Sequence, residues 1–293
     1  MSEVTVIYIA GYGRSGSTLL DTLLDRHPNI GGCGELRWLF HHAANQTPCS
    51  NEHALTECPT WKAPLAATSN DWTAHAALTD ATESAMRKEF DEDAYKEVWG
   101  AALHALAKES GNQFVVDSSK TCHNAFYRAV LFSQIPGVQV KLVHLIRDPR
   151  AVMWSLMRVV DRQNRKLAWV QKQGKITKGL ASWTWANRAV PRILEAAPDI
   201  EHHRLYYQDL VSDSQQTFSA LGRFIGLDLH TVIPQDPATI PEPGCAVGGN
   251  RMRKSSDLTL KADTEWETNL PGYPRMLYAL NRSSTRPWEK PAS

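Results

Sequence analysis

The chain has 293 residues, of which 42% are hydrophobic and 22% charged, as is typical of a globular protein with a sizeable core. Its 32 basic and 31 acidic residues give a net charge of +1, which argues against a general binder of nucleic acids or membrane surfaces. No stretch reaches the roughly 18 apolar residues of a membrane span, and no secretory leader pattern precedes the first motif, so we expect a cytoplasmic protein.

Residues 4–10 are an apolar run that ends at a glycine, and they predict a buried β-strand. A helix is expected to begin near Ser17 and to stop at the His-Pro-Asn of 27–29. Between them, Gly11-x4-Gly16 has the glycine spacing of a phosphate-binding loop, although Ser17 stands where a nucleoside triphosphatase has lysine. The strand, loop and helix together predict an anion site at the helix N-terminus.

The next segments differ clearly in composition. Residues 45–80 are polar and rich in Pro and Thr, and predict an irregular insertion, whereas 91–110 predict a helix with acidic residues in its first turn. A second strand running into a polar turn is expected at 113–120, a helix at 122–135, and a third strand with its exit at 138–150.

Asp148 and Pro149 predict the start of a helix that follows the third strand. The remaining patterns predict a helix, a strand, a helix and a loop region: 178–197 with Pro191 as a kink, 202–210, about 212–225, and the chain after 230.

Strands that alternate with helices predict an α/β protein with a P-loop-type parallel sheet flanked by helices. Ligands of such sheets bind at the carboxyl ends of the strands. Four polar segments each follow a predicted strand, namely 11–18, 117–120, 147–155 and 206–209. We therefore expect them to meet at one edge of the sheet.

The cysteines are odd in number and form no CxxC pair: Cys33, Cys49, Cys58, Cys122 and Cys245. We interpret them as reduced thiols, with a bridge between Cys49 and Cys58 as the alternative. The histidines show no zinc-type spacing, so the sequence predicts no metal site.

The segment "GRSGSTLLDTLLDRHPNIGGCGE" resembles the 5′-phosphosulfate loop of PAPS-dependent sulfotransferases, in the branch of tyrosylprotein and many bacterial and carbohydrate enzymes. "RDPRAVMWS" resembles their 3′-phosphate motif, and "LYYQDLV" and "GGNRMR" resemble two further segments. The likeness extends from residue 4 to about 270. It implies one sulfotransferase domain over 1–293, with variable acceptor-side segments at about 40–110 and 158–180 and a tail at about 282–293.

The resemblance implies that PAPS is the donor and that no metal takes part. For Arg147, a salt bridge with Asp148 or another acid is the alternative. One member of the pair Tyr206-Tyr207 is expected to contact the nucleotide, and Tyr207 is the one included among the donor-binding residues. Residues 244–254 are interpreted as a flexible basic lid. The implied donor-binding residues are Arg14, Ser15, Gly16, Ser17, Thr18, Leu19, Arg147, Ser155, Tyr207 and Arg253.

Sulfuryl transfer needs a base for the acceptor and positive charge where the leaving group develops negative charge. The resemblance implies that Glu35 is the base and that Lys120 and Arg14 supply the charge. His123 is the alternative base, and Trp38 is an acceptor-side candidate. From the sequence alone, an exposed or helix-capping carboxylate is the better explanation of Glu35, and only the resemblance favours the base.

The expected acceptor is a small organic molecule with a hydroxyl group or, less readily, an amine, with no nucleic-acid or membrane partner. One alternative is a Mg²⁺-dependent P-loop kinase, in which Asp117 would bind the metal. The other is a nucleotide-binding protein without catalysis. The missing loop lysine and the segment around Arg147 disfavour the kinase, and Glu35 disfavours the non-catalytic protein.

Overall fold

The computed structural model of the chain describes residues 3–86, 90–163, 169–233, 244–248, 260 and 262–291, except for the side chains of His123 and Gln163. The described strands are β1 (Val4–Gly11), β2 (Ile30–Gly32), β3 (Phe114–Asp117), β4 (Val138–Ile146) and β5 (Glu201–Tyr206). They form a parallel sheet in the order β2-β3-β1-β4-β5.

Helices pack on both faces of this sheet. The described α-helices are α1 (Ser17–Leu24), α2 (Leu39–Ala44), α3 (Lys62–Ala66), α4 (Trp72–Glu83), α5 (Glu92–Ser110), α6 (Arg128–Ser133), α7 (Pro149–Gln163), α8 (Trp169–Ala196), α9 (Tyr207–Ser212), α10 (Ser214–Ile225), α11 (Glu265–Asn269), α12 (Gly272–Leu280) and α13 (Arg282–Thr285). Short 3-10 helices lie at Leu36–Trp38, His123–Ala125, His230–Val232 and Arg286–Trp288.

The central strand β1 is buried along its whole length. Its Ile7 and Ile9 belong to a core cluster that also contains apolar residues of α1 and α10. Val6 and Tyr8 belong to the cluster on the opposite face, with residues of α5 and α6. Because both faces of the sheet are covered, this strand is a continuous apolar run rather than an alternating one.

The predicted α/β class, with a parallel sheet flanked by helices, is confirmed. β1, α5 and α7 lie where the patterns predicted them. The sequence missed β2, which has three residues of which two are glycine, too short for a periodic signal. The predicted irregular insertion at 45–80 is wrong in part, since it contains α3 and most of α4.

Two further boundaries also differ from the predictions. The expected strand at 202–210 ends at Tyr206, because Tyr207 begins α9. The region after 230 was expected to be mainly loop, but α11, α12 and α13 lie in it. The expected tail packs on the sheet, where the Trp288 ring centroid lies 5.7 Å from the Arg204 guanidinium of β5.

Within the part of the chain that the structure describes, every helix is too short or too polar to cross a bilayer.

Candidate active site

The segments that follow β1, β3, β4 and β5 open on one cavity of about 1340 Å³. In the sheet order β1 lies beside β4, and the chain goes from β1 to β2 on one side of this pair and from β4 to β5 on the other. A crevice at such a reversal is the usual ligand site of an open parallel sheet. Most of the predicted site residues line it: Arg14, Gly16, Ser17, Thr18, Leu19, Glu35, Lys120, Arg147, Ser155 and Tyr207.

The loop between β1 and α1 depends on two glycines in the left-handed region, Gly11 with φ of 118° and Gly16 with φ of 95°. A Cβ atom on Gly11 would lie 2.3 Å from the carbonyl oxygen of Leu145, and one on Gly16 would lie 2.6 Å from the Tyr207 ring. Gly16 is also the N-cap residue of α1. The tight turn therefore directs the unpaired N–H groups of the first helical turn toward the cavity that this turn lines.

The same loop also contains a buried hydroxyl without a partner among the described residues and a cation that lines the cavity. The Ser15 hydroxyl is buried, at 1% exposure of the residue, and accepts or donates no hydrogen bond among the described residues. Arg14 lines the cavity with its backbone in the left-handed region, at φ of 68°. Since buried polar groups are normally paired, an oxyanion beside Ser15 would complete this loop.

Arg147 is the second group suited to an anion, and it lies directly after β4 with 7% exposure. One terminal nitrogen donates to the carbonyl of Arg14 at 3.1 Å, and the other to Asp263 at 2.9 Å. The guanidinium lies over the Tyr207 ring, 4.3 Å from its centroid. Nε of Arg147 is buried without a partner among the described residues. The side chain is therefore fixed in position and can still donate a hydrogen bond.

The alternative explanation of Arg147 was a salt bridge to Asp148 or another acid. Asp148 pairs instead with Arg150, at 2.6 Å. The acid that pairs with Arg147 is Asp263, which also lies 3.3 Å from Arg158. Asp263 lines the cavity, so its carboxylate lies beside Arg147, where a phosphate is expected to bind.

One face of α7 also lines the cavity, through Ser155, Arg158 and Arg162. Residues at such helical spacings share a face. Arg158 additionally donates to Glu265 at 2.8 Å. Arg158 and Arg162 fall in the segment that was expected on the acceptor side and were not predicted as site residues, although their helical spacing from Ser155 points to them.

Glu35 and Lys120 form an ion pair in the cavity, with Nζ to Oε1 at 2.5 Å. The second carboxylate oxygen of Glu35 accepts a hydrogen bond from Trp38 Nε1 at 3.3 Å. Lys120 has a left-handed backbone, at φ of 68°, and its carbonyl accepts from the Tyr8 hydroxyl at 2.6 Å. The contact with Tyr8 stabilises a backbone conformation that is costly for lysine.

A buried network behind this pair fixes its two backbone segments. Asp117 accepts from the backbone N–H of Leu36 at 3.3 Å and of Ser119 at 2.9 Å, and from Arg128 Nε at 2.6 Å. Arg128 also pairs with Glu83. Burial raises the pKa of Glu83, and the positive charge of Arg128 opposes this increase. The exit of β3 and the segment after Glu35 are therefore joined through Asp117.

The same contacts bear on the kinase alternative. Asp117 is fully buried and both of its carboxylate oxygens are engaged by protein donors. A Mg²⁺ ligand must present a free oxygen to the nucleotide site. Asp117 therefore acts as a structural carboxylate in this fold.

Residues 244–248, which we call the strap, lie beside the Glu35 segment. Val247 pairs in parallel with Gly34, its carbonyl accepts from the Glu35 N–H at 2.7 Å, and its N–H donates to the Cys33 carbonyl at 2.9 Å. Cys245 and Ala246 are buried as well. The expected flexible lid at 244–254 is thus wrong for the strap, and the remainder, including Arg253, lies outside the described residues.

Two other expectations concern the acceptor side. Trp38 lines the cavity and ends the 3-10 helix Leu36–Trp38, whose N-cap residue is Glu35. His123, the alternative base, belongs to the 3-10 helix His123–Ala125, and its side chain lies outside the described residues.

Comparison with known proteins gives one family. The model of the Sulfotransferase family matches residues 7–231. Protein-tyrosine sulfotransferase 2 of Gallus gallus is 23% identical over 281 residues, which cover 92% of this chain. The chain spans 65% of the length of that relative.

Two solved structures are similar over nearly the whole chain. One is the sulfotransferase domain from the curacin biosynthetic pathway, at 19% identity and a TM-score of 0.53, covering 99% of each chain. The other is the sulfotransferase domain from the Synechococcus PCC 7002 olefin synthase, at 18% identity and a TM-score of 0.55, covering 99% of this chain and 97% of that one. At such identities these two structures support the fold. The model of the Sulfotransferase family, in contrast, matches most of the chain, and this match shows that the chain belongs to the sulfotransferase family.

Proposed function

We propose that this chain transfers a sulfuryl group from PAPS to a hydroxyl group, or less readily an amine, of a small organic acceptor. One observation carries the proposal: a single cavity is lined by two groups of residues suited to anions, the β1–α1 loop and Arg147 with Ser155, together with the Glu35–Lys120 pair. PAPS has a 5′-phosphosulfate and a separate 3′-phosphate, so it requires two such groups.

The residues that line the cavity, together with the buried Ser15 of the adjoining loop, fit this donor. Ser15 Oγ and Arg147 Nε are buried and lack partners among the described residues, one in each anion-binding group. When bound, PAPS supplies the activated sulfuryl group. We assign its binding to the β1–α1 loop, to Arg147 and Ser155, and to Tyr207, which lies under the Arg147 guanidinium. The loop residues in this assignment are Arg14, Ser15, Gly16, Ser17, Thr18 and Leu19, and the assignment of Arg253 stays a prediction.

Glu35 is the proposed general base for the acceptor. Its carboxylate is held from two sides by Lys120 and Trp38 and lines the cavity. A carboxylate in this position can accept the proton of an acceptor hydroxyl as that oxygen becomes a nucleophile. Lys120 and Arg14 supply positive charge that offsets the negative charge developing in the transition state.

The variable segments are the proposed source of acceptor selectivity. The name of the chicken relative specifies protein tyrosine, but the chain spans 65% of that protein, and its sequence identity is low. The proposed organisation is one domain over 1–293 with acceptor-side segments at 40–110 and 158–180. The acceptor that we propose for it is a small organic molecule. The expected cytoplasmic location also stays a prediction.

Thermal unfolding with nucleotides tests the donor. At a concentration of about 100 times Kd, PAP should stabilise the fold by roughly 2.7 kcal/mol, and 5′-AMP much less, because 5′-AMP lacks the 3′-phosphate. Arg147→Ala should weaken PAP binding most. Asp263→Asn should strengthen it, because the phosphate no longer competes with a carboxylate for Arg147.

Asp228→Asn is the matched control, since Asp228 is an exposed acid whose side chain is 78% accessible. It should leave the PAP shift unchanged. Equal thermal shifts from PAP and ATP, or an unaffected Arg147→Ala variant, would contradict the donor assignment.

A further inference from the structure

Four potential metal ligands converge outside the cavity. They are Cys49, His53, Cys58 and Cys245, and their ligand atoms all lie within 4.8 Å of one another. The three cysteines are buried, whereas His53 is exposed. Cys245 Sγ lies 3.8 Å from Nδ1 of His53. No spacing rule applied to the sequence finds this group, because Cys245 lies 192 residues after His53.

The backbone around the four ligands is already fixed. Within the first segment, the Cys49 N–H donates to the His53 carbonyl at 3.0 Å, and the Cys58 N–H donates to the Ala54 carbonyl at 2.8 Å. These two turns bring the side chains at 49, 53 and 58 together. The three ligands of this segment are therefore placed by local backbone hydrogen bonds rather than by chance proximity.

The strap is joined to that segment on both sides of Cys245. Trp61 Nε1 donates to the Cys245 carbonyl at 2.7 Å, and the Ser50 N–H donates to the Ala246 carbonyl at 2.9 Å. Ser50 Oγ accepts from the Ala246 N–H at 2.9 Å and donates to the Gly244 carbonyl at 3.2 Å. The fourth ligand is thus held against the other three by contacts that need no metal.

We propose that Cys49, His53, Cys58 and Cys245 bind one structural Zn²⁺ ion. Three thiolates and one imidazole are a typical set for a closed tetrahedral zinc site, with Zn–S distances of about 2.3 Å and Zn–N distances of about 2.0–2.1 Å. Those distances imply sulfur–sulfur separations of roughly 3.8 Å. The arrangement can reach this geometry through small side-chain movements, because its ligand atoms are already within 4.8 Å.

The alternative chemistry for this cluster is a disulfide. A disulfide needs two sulfur atoms at about 2.05 Å and leaves the third thiol and the histidine without a role. In the structure all five cysteines are thiols, which keeps three sulfur ligands available. A zinc site binds the deprotonated thiols and the neutral imidazole, so it uses all four residues. It therefore accounts for the cluster better than a disulfide between any two of the cysteines.

A zinc ion here would act on the fold and would take no part in the transfer chemistry. Its four protein ligands leave no open position for a substrate or water. Through Cys245 it would fix the strap, whose Val247 holds the backbone of Gly34 and Glu35. The ion would therefore link the acceptor-side insertion to the segment that carries the proposed base.

Metal analysis of the full chain tests the proposal. The protein is produced with added zinc, purified under reducing conditions without chelator, and analysed by mass spectrometry for metal content. We expect one zinc per chain. Cys58→Ser and Cys245→Ser should lose it, whereas Cys33→Ser, a change of a buried cysteine outside the cluster, should retain it.

A second variant covers the case in which the cysteine variants do not fold. His53 is exposed, so His53→Ala should fold, and its zinc should pass to a competing chelator at a concentration lower by about 10-fold or more. Replacing zinc by Co²⁺ in the wild-type protein should give the intense visible absorption of a tetrahedral thiolate site, which His53→Ala would alter.

Three results would overturn the proposal. The wild-type protein could contain no zinc although circular dichroism on the same sample shows that it is folded. Its intact mass under non-reducing conditions could be lower by the two hydrogens of a disulfide. Finally, the zinc could stay bound with unchanged affinity in His53→Ala. Each of these readouts is independent of sulfuryl transfer, so the zinc proposal and the proposed function can fail separately.

Discussion

Glu35 is fixed from three directions at the residue scale. Its N–H is bound by the carbonyl of Val247, one carboxylate oxygen by Lys120 and the other by Trp38. Catalysis by a general base depends first on where the base lies and then on its basicity. The position of Glu35 is therefore set by the strap, by the exit of β3 and by its own neighbouring turn.

Replacing Glu35 by glutamine separates basicity from shape. If Glu35 accepts the acceptor proton, Glu35→Gln should lower turnover by about 10²–10⁴-fold. PAP affinity should stay nearly unchanged, because the proposed phosphate-binding groups are other residues. Steady-state kinetics and PAP titration measure the two effects.

The matched control for this change is Glu109→Gln, an exposed glutamate near the end of α5, which should leave both quantities unaltered. Loss of PAP binding together with activity would mean that Glu35 holds the site together instead of acting as the base. Near-full activity in Glu35→Gln would leave His123 as the alternative base.

His144 of β4 gives the fold a dependence on pH. Burial lowers its pKa from 6.5 to about 4, opposed by a hydrogen bond to Asn187 at 2.9 Å and assisted by the nearby Arg204 and His202. The imidazole is therefore neutral in the folded protein at pH values where the unfolded chain binds a proton. The contribution of His144 to the free energy of unfolding should be fully present above pH 6.5 and should fall as the pH drops toward 4.

The expected loss over that window is roughly 3 kcal/mol, from the size of the pKa shift. Urea unfolding at several pH values measures it. His144→Gln, which can still donate to Asn187, should remove most of this slope, whereas the exposed His230→Gln should not. An unchanged slope in His144→Gln would assign the pH dependence to other groups.

At the scale of elements, the β1–α1 loop is the part of the site with the least freedom. Both of its left-handed glycines approach other parts of the chain, Gly11 the backbone of β4 and Gly16 the ring of Tyr207. The same ring lies under Arg147. The two proposed anion-binding groups are therefore mechanically joined through Gly16, Tyr207 and Arg147.

Gly16→Ala tests this connection. A Cβ at this position would lie 2.6 Å from the Tyr207 ring, and the residue would have to keep φ near 95°. We expect a loss of roughly 1–3 kcal/mol in the free energy of unfolding, together with weaker PAP binding as Tyr207 and Arg147 shift. Chemical denaturation and PAP titration report the two quantities.

Gly174→Ala in α8 is the control, because a Cβ there meets no atom within 4 Å. It should be neutral or stabilise the helix by roughly 0.5–1 kcal/mol. If Gly16→Ala were equally harmless, the close contact with Tyr207 would have no role in building the site.

At the scale of the whole molecule, the residues that the sequence identified share one property. The β1–α1 loop and the segment from Arg147 to Ser155 are each continuous in the chain and follow an apolar strand. Local pattern predicts the loop, and the likeness of a short continuous motif supplies Arg147 and Ser155. Arg158 lies on the same helical face as Ser155 and could also have been found. These parts of the fold depend on short-range periodicity and turn chemistry.

The other parts depend on contacts between distant segments. β2 is recognisable as a strand only because β3 pairs with it, and Asp263 becomes a partner of Arg147 only when the chain after α10 returns to the cavity. The strap was interpreted as part of a flexible basic lid because it leads into the basic segment "GGNRMRK". Its burial against Cys33 and Glu35 cannot be read from local sequence.

The central claim is that the cavity transfers a sulfuryl group from PAPS, and the most direct measurement is transfer of ³⁵S from labelled PAPS to a panel of hydroxyl and amine acceptors. We expect a labelled product and stoichiometric PAP, at a rate that does not depend on added Mg²⁺. The label should be strongly reduced in Arg147→Ala. Absence of labelled product with every acceptor while γ-³²P passes from Mg²⁺-ATP to a small molecule would contradict the account and favour a kinase.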